Sequence, residues 1–360
     1  MTLDFLNWPI YGLDQVTKRS RLGAALSALT NHHRAHCVQY SQILEARSWK
    51  LKNYDCLEEY PWLPVRLFKM YDLLSIDKDE VSKTLTSSGT TGQSPSRIFL
   101  DKRTANFQTT ALVRIMQEFI GKSRLPMLII DHPGVIKDRT QFSARGAGIL
   151  GLSNFGRGHV YALNDDMTLN LDALQSFAKQ HKGVPKLIFG FTFMSWQYFF
   201  LELERNKIYI DLNDSILFHS GGWKKLEDMS VDNIEFKRRI RATCGNLRIH
   251  NFYGMVEQVG SVFVECEHGY LHAPSLADVI IRDPLNWKPL PIGEHGVIQV
   301  LSALPYSYPG HSLLTEDLGT ILGEDDCACG RLGRYFHVHG RMARSELRGC
   351  SDTQPTSVTT

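Results

Sequence analysis

Pro126-Met-Leu-Ile-Ile-Asp131, Thr168 to Gln180, and Lys186-Leu-Ile-Phe-Gly-Phe191 read as an apolar run of strand length, a helix and a second apolar run. Short continuous apolar runs separated by helical stretches are the pattern of an α/β sheet covered by helices on its faces. Ile208 to Asp211, Ser215 to His219 and Leu247 to Tyr253 extend the series of expected strands. Upstream, Leu22, Leu26, Leu29, Val38 and Ile43 recur at roughly helical spacing, which predicts a helical segment from Gln15 to Arg47. His32, His33, His36 and Cys37 lie on that segment at spacings a metal could use, but read as helix-surface and core-edge side chains. Pro61, Pro64 and the cluster Asp77-Lys-Asp-Glu80 mark a connection, and α/β alternation starts at Val81. After Val262 the texture turns to strands and turns: Asp278-Val-Ile-Ile, Gly296-Val-Ile-Gln-Val and Gly319-Thr-Ile-Leu, with Pro, Gly and Asn between them. The expected organisation is a helical N-terminal segment (1–80), an α/β core (81–262), a small β-rich subdomain (263–340) and a mobile tail (341–360).

The 360 residues are enough for two or three domains and a large core, and 43% apolar with 22% charged residues is ordinary for a globular protein. Forty Lys and Arg nearly balance 38 Asp and Glu, so nothing implies field-driven binding to nucleic acid or an anionic membrane. Met1-Thr-Leu-Asp4 has no basic stretch feeding an apolar run, so no signal peptide is expected. The most apolar stretch, Leu187 to Leu203, is broken by Thr192, Ser195 and Gln197 and reads as a buried strand running into a helix, not as a membrane span. Seven cysteines without a secretion signal point to a reducing compartment, and the expected location is the cytoplasm. They are then thiols, metal ligands or a nucleophile.

The sharpest local signal is Thr86-Ser-Ser-Gly-Thr-Thr-Gly-Gln-Ser-Pro-Ser-Arg97. Ser87, Ser88, Gly89, Thr90, Thr91 and Gly92 offer hydroxyls and freely turning backbone N–H groups, a suitable cradle for phosphates, with Arg97 and Lys102 close by. No lysine follows the second glycine, so this is not the P-loop, and a polar surface loop is the alternative. Ser220-Gly-Gly-Trp-Lys224 follows an apolar strand and could let backbone approach a flat ring. Asn251-Phe-Tyr-Gly-Met-Val-Glu-Gln258 presents an aromatic ring, a turn and a carboxylate, and Leu314-Thr-Glu-Asp-Leu-Gly319 sets Asp317 at a turn. Cys266 with His272, and Cys327-Ala-Cys329, are two short ligand pairs on separate segments, which suits tetrahedral, structural Zn²⁺; His268 is the rival to His272. Reduced, partly buried thiols are the other reading.

In their order and intervals these segments resemble the core motifs of adenylate-forming enzymes, over roughly Thr86 to Arg341. The resemblance implies an adenylate-forming α/β core that takes ATP and Mg²⁺. Within it, the loop from Ser87 to Gly92 would hold the phosphates and Ser220, Gly221 and Gly222 would lie against adenine. Tyr253 would stack on adenine or close the acyl pocket, and Glu257 would hold Mg²⁺. Asp317 would bind the ribose hydroxyls, and Arg334 or Arg341 would support ribose or phosphate. Members of that superfamily usually add a C-terminal domain with an assisting lysine. The chain ends at Thr360, soon after Gly340-Arg-Met-Ala-Arg, so that domain is expected to be missing, with Lys224 as a candidate substitute cation.

A shorter group of relatives, the acyl-protein synthetases of bacterial luminescence, is a closer likeness. It rests on Asn31-His-His-Arg-Ala-His-Cys-Val-Gln-Tyr40, Thr86-Ser-Ser-Gly-Thr, Gly221-Gly-Trp-Lys224, Thr315-Glu-Asp-Leu-Gly319 and a Gly-Cys pair near the end. That resemblance implies loading of a fatty or other carboxylic acid onto Cys350 and transfer to an acyl-CoA reductase-type partner. Arg344 and Arg348 lie near enough in sequence to lower the Cys350 thiol pKa, and Gly349 gives it freedom to swing. Tyr253-Gly-Met-Val-Glu-Gln is more similar to phenylacetate-CoA ligases, whose members often carry a comparable zinc site. Two alternatives follow: an acyl- or aryl-CoA ligase using free CoA, and a non-catalytic nucleotide-binding subunit. Ile149 to Phe155 with Phe189, Phe191 and Trp196 could line an acyl pocket or be core.

Overall fold

The computed structural model describes residues 4–50, 56–87, 95–136, 144–222 and 231–342. Its strands are β1 (Leu63–Pro64), β2 (Lys83–Thr86), β3 (Arg97–Leu100), β4 (Leu125–Ile129), β5 (Gly156–Tyr161), β6 (Lys186–Phe191) and β7 (Ser215–Ser220). They continue with β8 (Arg248–Tyr253), β9 (Phe263–Glu265), β10 (Leu271–His272), β11 (Ala277–Arg282), β12 (Gly296–Ser302), β13 (Ser312–Glu324) and β14 (Arg334–Arg341). Among the described residues twelve of these join one sheet in the order β11-β12-β13-β14-β10-β9-β8-β7-β6-β4-β5, with β1 added against β13. Strands β2 and β3 pair separately and antiparallel.

The stretch from β5 across β4, β6 and β7 to β8 is parallel, and pairing turns antiparallel between β8 and β9. Parallel strands inside a sheet are covered on both faces, which is why β4, β6 and β7 read as apolar runs, while the edge strand β5 exposes Arg157 and His159. Leu128, Ile188, Leu217 and Ile249 pack to one side with Phe177, Phe199, Phe236 and Ile240. Met127, Leu187, Phe189, Ile216 and Phe218 pack to the other with Ile115, Met116, Phe119, Ile149 and Leu152. Each buried side chain of this size contributes roughly 1.5–3 kcal/mol.

Helices α1 (Gln15–His36), α2 (Val38–Ala46), α3 (Leu67–Met70), α4 (Lys102–Ile120), α5 (Ala144–Ser153) and α6 (Leu171–Gln180) precede α7 (Thr192–Met194), α8 (Leu201–Arg205) and α9 (Asn233–Cys244). A π-helical turn, Ser195–Phe200, joins α7 to α8, so the stretch after β6 is the helix expected there. The Asp14, Asp101, Asn170 and Asp232 side chains cap α1, α4, α6 and α9 by accepting from a backbone N–H three residues on. The expected N-terminal helix breaks at Cys37, whose backbone is extended. The break turns the chain so that His33 and Tyr40 both reach His311. Ile208 to Asp211 is not a strand: Ile210 and Leu212 are buried, but their N–H groups bond the Thr243 and Cys244 carbonyls at the end of α9. No helix among the described residues is long and apolar enough to cross a membrane.

Candidate active site

The carboxyl ends of parallel strands are where α/β sheets bind ligands, and the ends of β7 and β8 carry two of the motifs read from the sequence. At β7 the buried Ser220 is followed by Gly221 at φ +82°, where a side chain would be strained and its Cβ would touch Phe191 at 3.4 Å. Gly222 faces open space, so flat backbone is presented there. At β8, Tyr253 leads through Gly254 into the single 3₁₀ turn Val256–Gln258. That turn holds Glu257 at 7% exposure. Burial pushes the Glu257 carboxyl above its ordinary pKa, while the Ser96 hydroxyl and the charges of Lys69 and Arg341 oppose that shift.

Ser96 belongs to the neck of the expected phosphate loop, which connects β2 to β3. The Ser87 N–H donates to the Ser96 carbonyl at 3.1 Å, and the Ser96 N–H donates back to Ser87 Oγ at 2.8 Å. The neck is thereby closed next to Glu257. Ser88, Gly89, Thr90, Thr91, Gly92, Lys224 and Cys350 lie outside the described residues.

Tyr253 and Asp317 meet across the sheet: the Tyr253 hydroxyl donates to Asp317 Oδ2 at 2.7 Å. Asp317 stands opposite Arg341 in the β13–β14 ladder, with its Oδ1 3.7 Å from Arg341 Nε. The Asp317 N–H donates to Thr315 Oγ1 at 3.1 Å, a locking contact the motif alone did not disclose. Burial raises the Asp317 pKa; the Tyr253 hydrogen bond and Arg341 work against it. Tyr253, Asp317 and Arg341 are thus brought together.

Arg334 is not brought there. It lies at the opposite end of β14, paired with Glu58 at 3.1 Å and Glu324 at 2.8 Å, and its third contact is the Val279 carbonyl at 2.8 Å. Only 5% exposed and held by two carboxylates, it is a tie between β14, β11 and the N-terminal segment. Of the two arginines considered for ribose or phosphate, Arg341 is the one beside Asp317.

The second chemical cluster is Cys266, His272, Cys327 and Cys329, whose ligand atoms all lie within 4.8 Å of one another. A tetrahedral Zn²⁺ with bonds of 2.0–2.3 Å separates its ligands by roughly 3.3–3.8 Å, so the group needs little contraction to take one. His272 Nε2 is 3.3 Å from Cys329 Sγ, and the buried His272 Nδ1 has no hydrogen-bond partner among the described residues. Burial, Arg331 and Lys18 hold His272 down to about 4, so the ring is neutral at ordinary pH, as a ligand must be. His268, the rival ligand, is outside the cluster. Arg331, which bonds Glu267 at 2.7 Å, also donates its backbone N–H to Cys329 Sγ at 3.5 Å. The donor set therefore fits a closed structural metal site.

Ile149, Leu152, Phe155 and Phe189 share one apolar cluster with Phe191 packed against it, whereas Trp196 is buried on the other face of the sheet. Residues the motifs did not single out include Thr315, Ser96 and Tyr308, whose hydroxyl donates to the Glu257 carbonyl at 2.9 Å. Tyr308 had a signal in Pro305-Tyr-Ser-Tyr-Pro309, an aromatic and proline cluster where a surface turn would be expected.

Among solved structures, 2-hydroxyisobutyryl-CoA ligase with 2-HIB-AMP and CoA superposes with a TM-score of 0.68 at 16% identity, over 92% of this chain and 70% of that one. An open form of the same enzyme gives 0.66 at 17% identity, over 89% and 74%. The fold is that of adenylate-forming enzymes. The long-chain-fatty-acid–luciferin-component ligase of Vibrio harveyi is 24% identical over 352 residues, 96% of this chain and 88% of that one. The enzyme of the same name from Aliivibrio fischeri is 21% identical over 287 residues, 75% and 71%. Residues 13–359 match the family model described as acyl-protein synthetase, LuxE, and the chain belongs to that family of ligases.

Proposed function

We propose that this ligase activates a fatty or other carboxylic acid with ATP as an acyl-adenylate. It then moves the acyl group to its own Cys350, from which an acyl-CoA reductase-type partner takes it. The observation that carries the first step is the meeting of Tyr253, Asp317 and Arg341 near buried Glu257 and the neck of the β2–β3 loop. The long-chain fatty acid in the names of the two similar bacterial ligases supports the substrate class.

In the first step a carboxylate oxygen of the acid attacks the α-phosphorus of ATP, and pyrophosphate leaves with the electron pair. Asp317 would accept from the ribose hydroxyls, Ser220 to Gly222 would lie against adenine, and Ser87 to Gly92 would cradle the phosphates. Glu257 would hold Mg²⁺, and bound Mg²⁺ supplies neutralisation of phosphate charge. Lys224 is the candidate for the further cation that offsets charge on the α-phosphate. In the second step the Cys350 thiolate attacks the acyl carbonyl, forming the thioester as AMP leaves; intramolecular attack of this kind is worth roughly 7–11 kcal/mol over a diffusing thiol. Residues 81–262 would bind ATP and acid, and 263–340 would be pinned by Zn²⁺ on Cys266, His272, Cys327 and Cys329.

Intact-protein mass spectrometry with Mg·ATP and a panel of fatty and aryl acids, without CoA, tests the reading. The expected result is a gain of one acyl group, removed by hydroxylamine and absent in Cys350→Ser. AMP formation only when CoA is added would move the assignment to a CoA ligase. No pyrophosphate release with any acid would favour a non-catalytic nucleotide-binding subunit.

A further inference from the structure

Between β12 and β13 the chain runs through Ala303 to His311 without regular structure, yet every residue there except Tyr306 is buried. An irregular segment in the interior cannot satisfy its backbone with water, so its partners have to come from the protein around it. Those partners come from four places. From α1, the His33 Nε2 donates to the Pro305 carbonyl at 3.2 Å and His32 Nε2 bonds the Tyr306 carbonyl at 3.0 Å. From the segment before β2, Ser75 N–H donates to the Ser307 carbonyl at 2.8 Å, while its hydroxyl bonds His33 Nδ1 at 2.8 Å. From β3 and α4, the Phe99 carbonyl accepts the Ser307 hydroxyl at 2.8 Å and Thr104 Oγ1 accepts the Ser307 N–H at 3.1 Å. The fourth is the turn that carries Glu257: Gln258 Nε2 donates to the Gly310 carbonyl at 2.7 Å, and the Tyr308 hydroxyl donates to the Glu257 carbonyl at 2.9 Å.

The far end is clamped as firmly. His33 stacks on His311 with ring centroids 4.8 Å apart, and His311 Nε2 bonds Thr30 Oγ1 at 2.9 Å. Both rings are fully buried. The turn that this loop grips has little stiffness of its own, being three residues of 3₁₀ helix between Gly254 and Gly260. Gly260 closes against the Gln108 backbone, where an added Cβ would come within 2.6 Å, and Gln108 Nε2 in turn bonds the Tyr308 hydroxyl at 3.3 Å.

We propose that Tyr308 is a positioning residue for Glu257, and that the His33–His311 stack under the Asn31–Tyr40 motif fixes the buried strap that carries Tyr308. The proposal rests on the reading that Glu257 holds Mg²⁺. It assigns the N-terminal histidine motif a role at the metal through packing. Outer partners that orient a metal-binding group typically control its affinity by about 10-fold or more.

The test is the Mg²⁺ dependence of pyrophosphate release, with the best acid from the panel, in Tyr308→Phe, His33→Asn and the double variant. Tyr308→Phe keeps the ring, which packs edge-on to Phe68. The expected result is a rise of about 10-fold in the Mg²⁺ concentration for half-maximal rate, with the rate restored at saturating Mg²⁺. The His33→Asn protein is expected to shift in the same direction, and the double variant no further than the larger single change, because both act through one contact. Should Tyr308→Phe not fold, His33→Asn carries the same measurement. A fall in rate that Mg²⁺ does not restore, or fully additive shifts, would overturn the proposal. Glu257→Gln separates the two readings: unchanged Mg²⁺ dependence there removes the metal role of Glu257 itself. Loss of Mg²⁺-dependent rate in Glu257→Gln with a normal Tyr308→Phe removes only the positioning role.

Discussion

Asp317 shows what burial does to a single carboxylate. Its folded pKa lies above the ordinary carboxylate value, with burial the largest cause. A group that binds its proton more tightly when folded stabilises the fold below its unfolded pKa, and that contribution is lost as pH rises through the folded pKa. Above that pH the nucleotide-free protein carries a partly desolvated charge that ribose hydroxyls would relieve. Asp317→Asn should therefore remove a stability contribution that fades as pH rises above the ordinary carboxylate range, and raise the KM for ATP by about 10–100-fold, the scale of hydrogen bonds to a charged group. Thermal melts across that pH range and steady-state kinetics check both halves. The arginines mark the limit of the motif at this scale. Arg334 and Arg341 sit seven residues apart on one strand, roughly 23 Å at the usual rise. A motif read without strand direction has no means of choosing between them.

At the scale of elements, the paired thiols matter most where strands are short: β9 has three residues and β10 two. Cys266 follows β9, His272 ends β10, and Cys327 with Cys329 lies in the turn between β13 and β14. Four ligands from two connections and the end of β10 would fasten what so few ladder bonds hold weakly. About one Zn²⁺ per chain is expected by elemental analysis, and Cys327→Ser should lose it together with about 4 kcal/mol or more of stability. Full stability in a metal-free protein would refute the site. Of the parallel strands, β4, β6 and β7 were legible because both their faces are apolar, whereas the edge strand β5, with Arg157 and His159 exposed, was not read. Ile208 to Asp211 was misread because a buried loop bonded to a helix end carries the same apolar residues as a strand. Only Gly319 to Leu322 of β13 was visible, since Thr315, Glu316 and Asp317 put polar side chains into the same continuous strand.

For the whole molecule, the change of texture read at Val262 coincides with the switch from parallel to antiparallel pairing at β8–β9, while the sheet itself stays continuous. Long-range pairing of this sort leaves no mark on local sequence, which is why the joining of the α/β and β-rich stretches into one sheet was not readable. A chain ending at Met342 retains every described site residue, so it should still release pyrophosphate at a rate within about 10-fold of the full chain. It should show no acyl adduct by mass spectrometry; an adduct of normal stoichiometry would exclude the tail thiol as acceptor. The N-terminal helix adds a constraint of another kind. Lys18 donates to the Ala273 carbonyl, 255 residues further along, and the Gln15 N–H bonds Asp325, 310 residues away. During synthesis at roughly 5–20 residues per second, the first helix leaves the ribosome on the order of 10–50 s before its partners exist. Over that interval Leu22, Leu26 and Leu29 have no sheet to cover them, and the newborn chain has to be shielded by a holding chaperone or stay sparse enough not to meet another copy of itself.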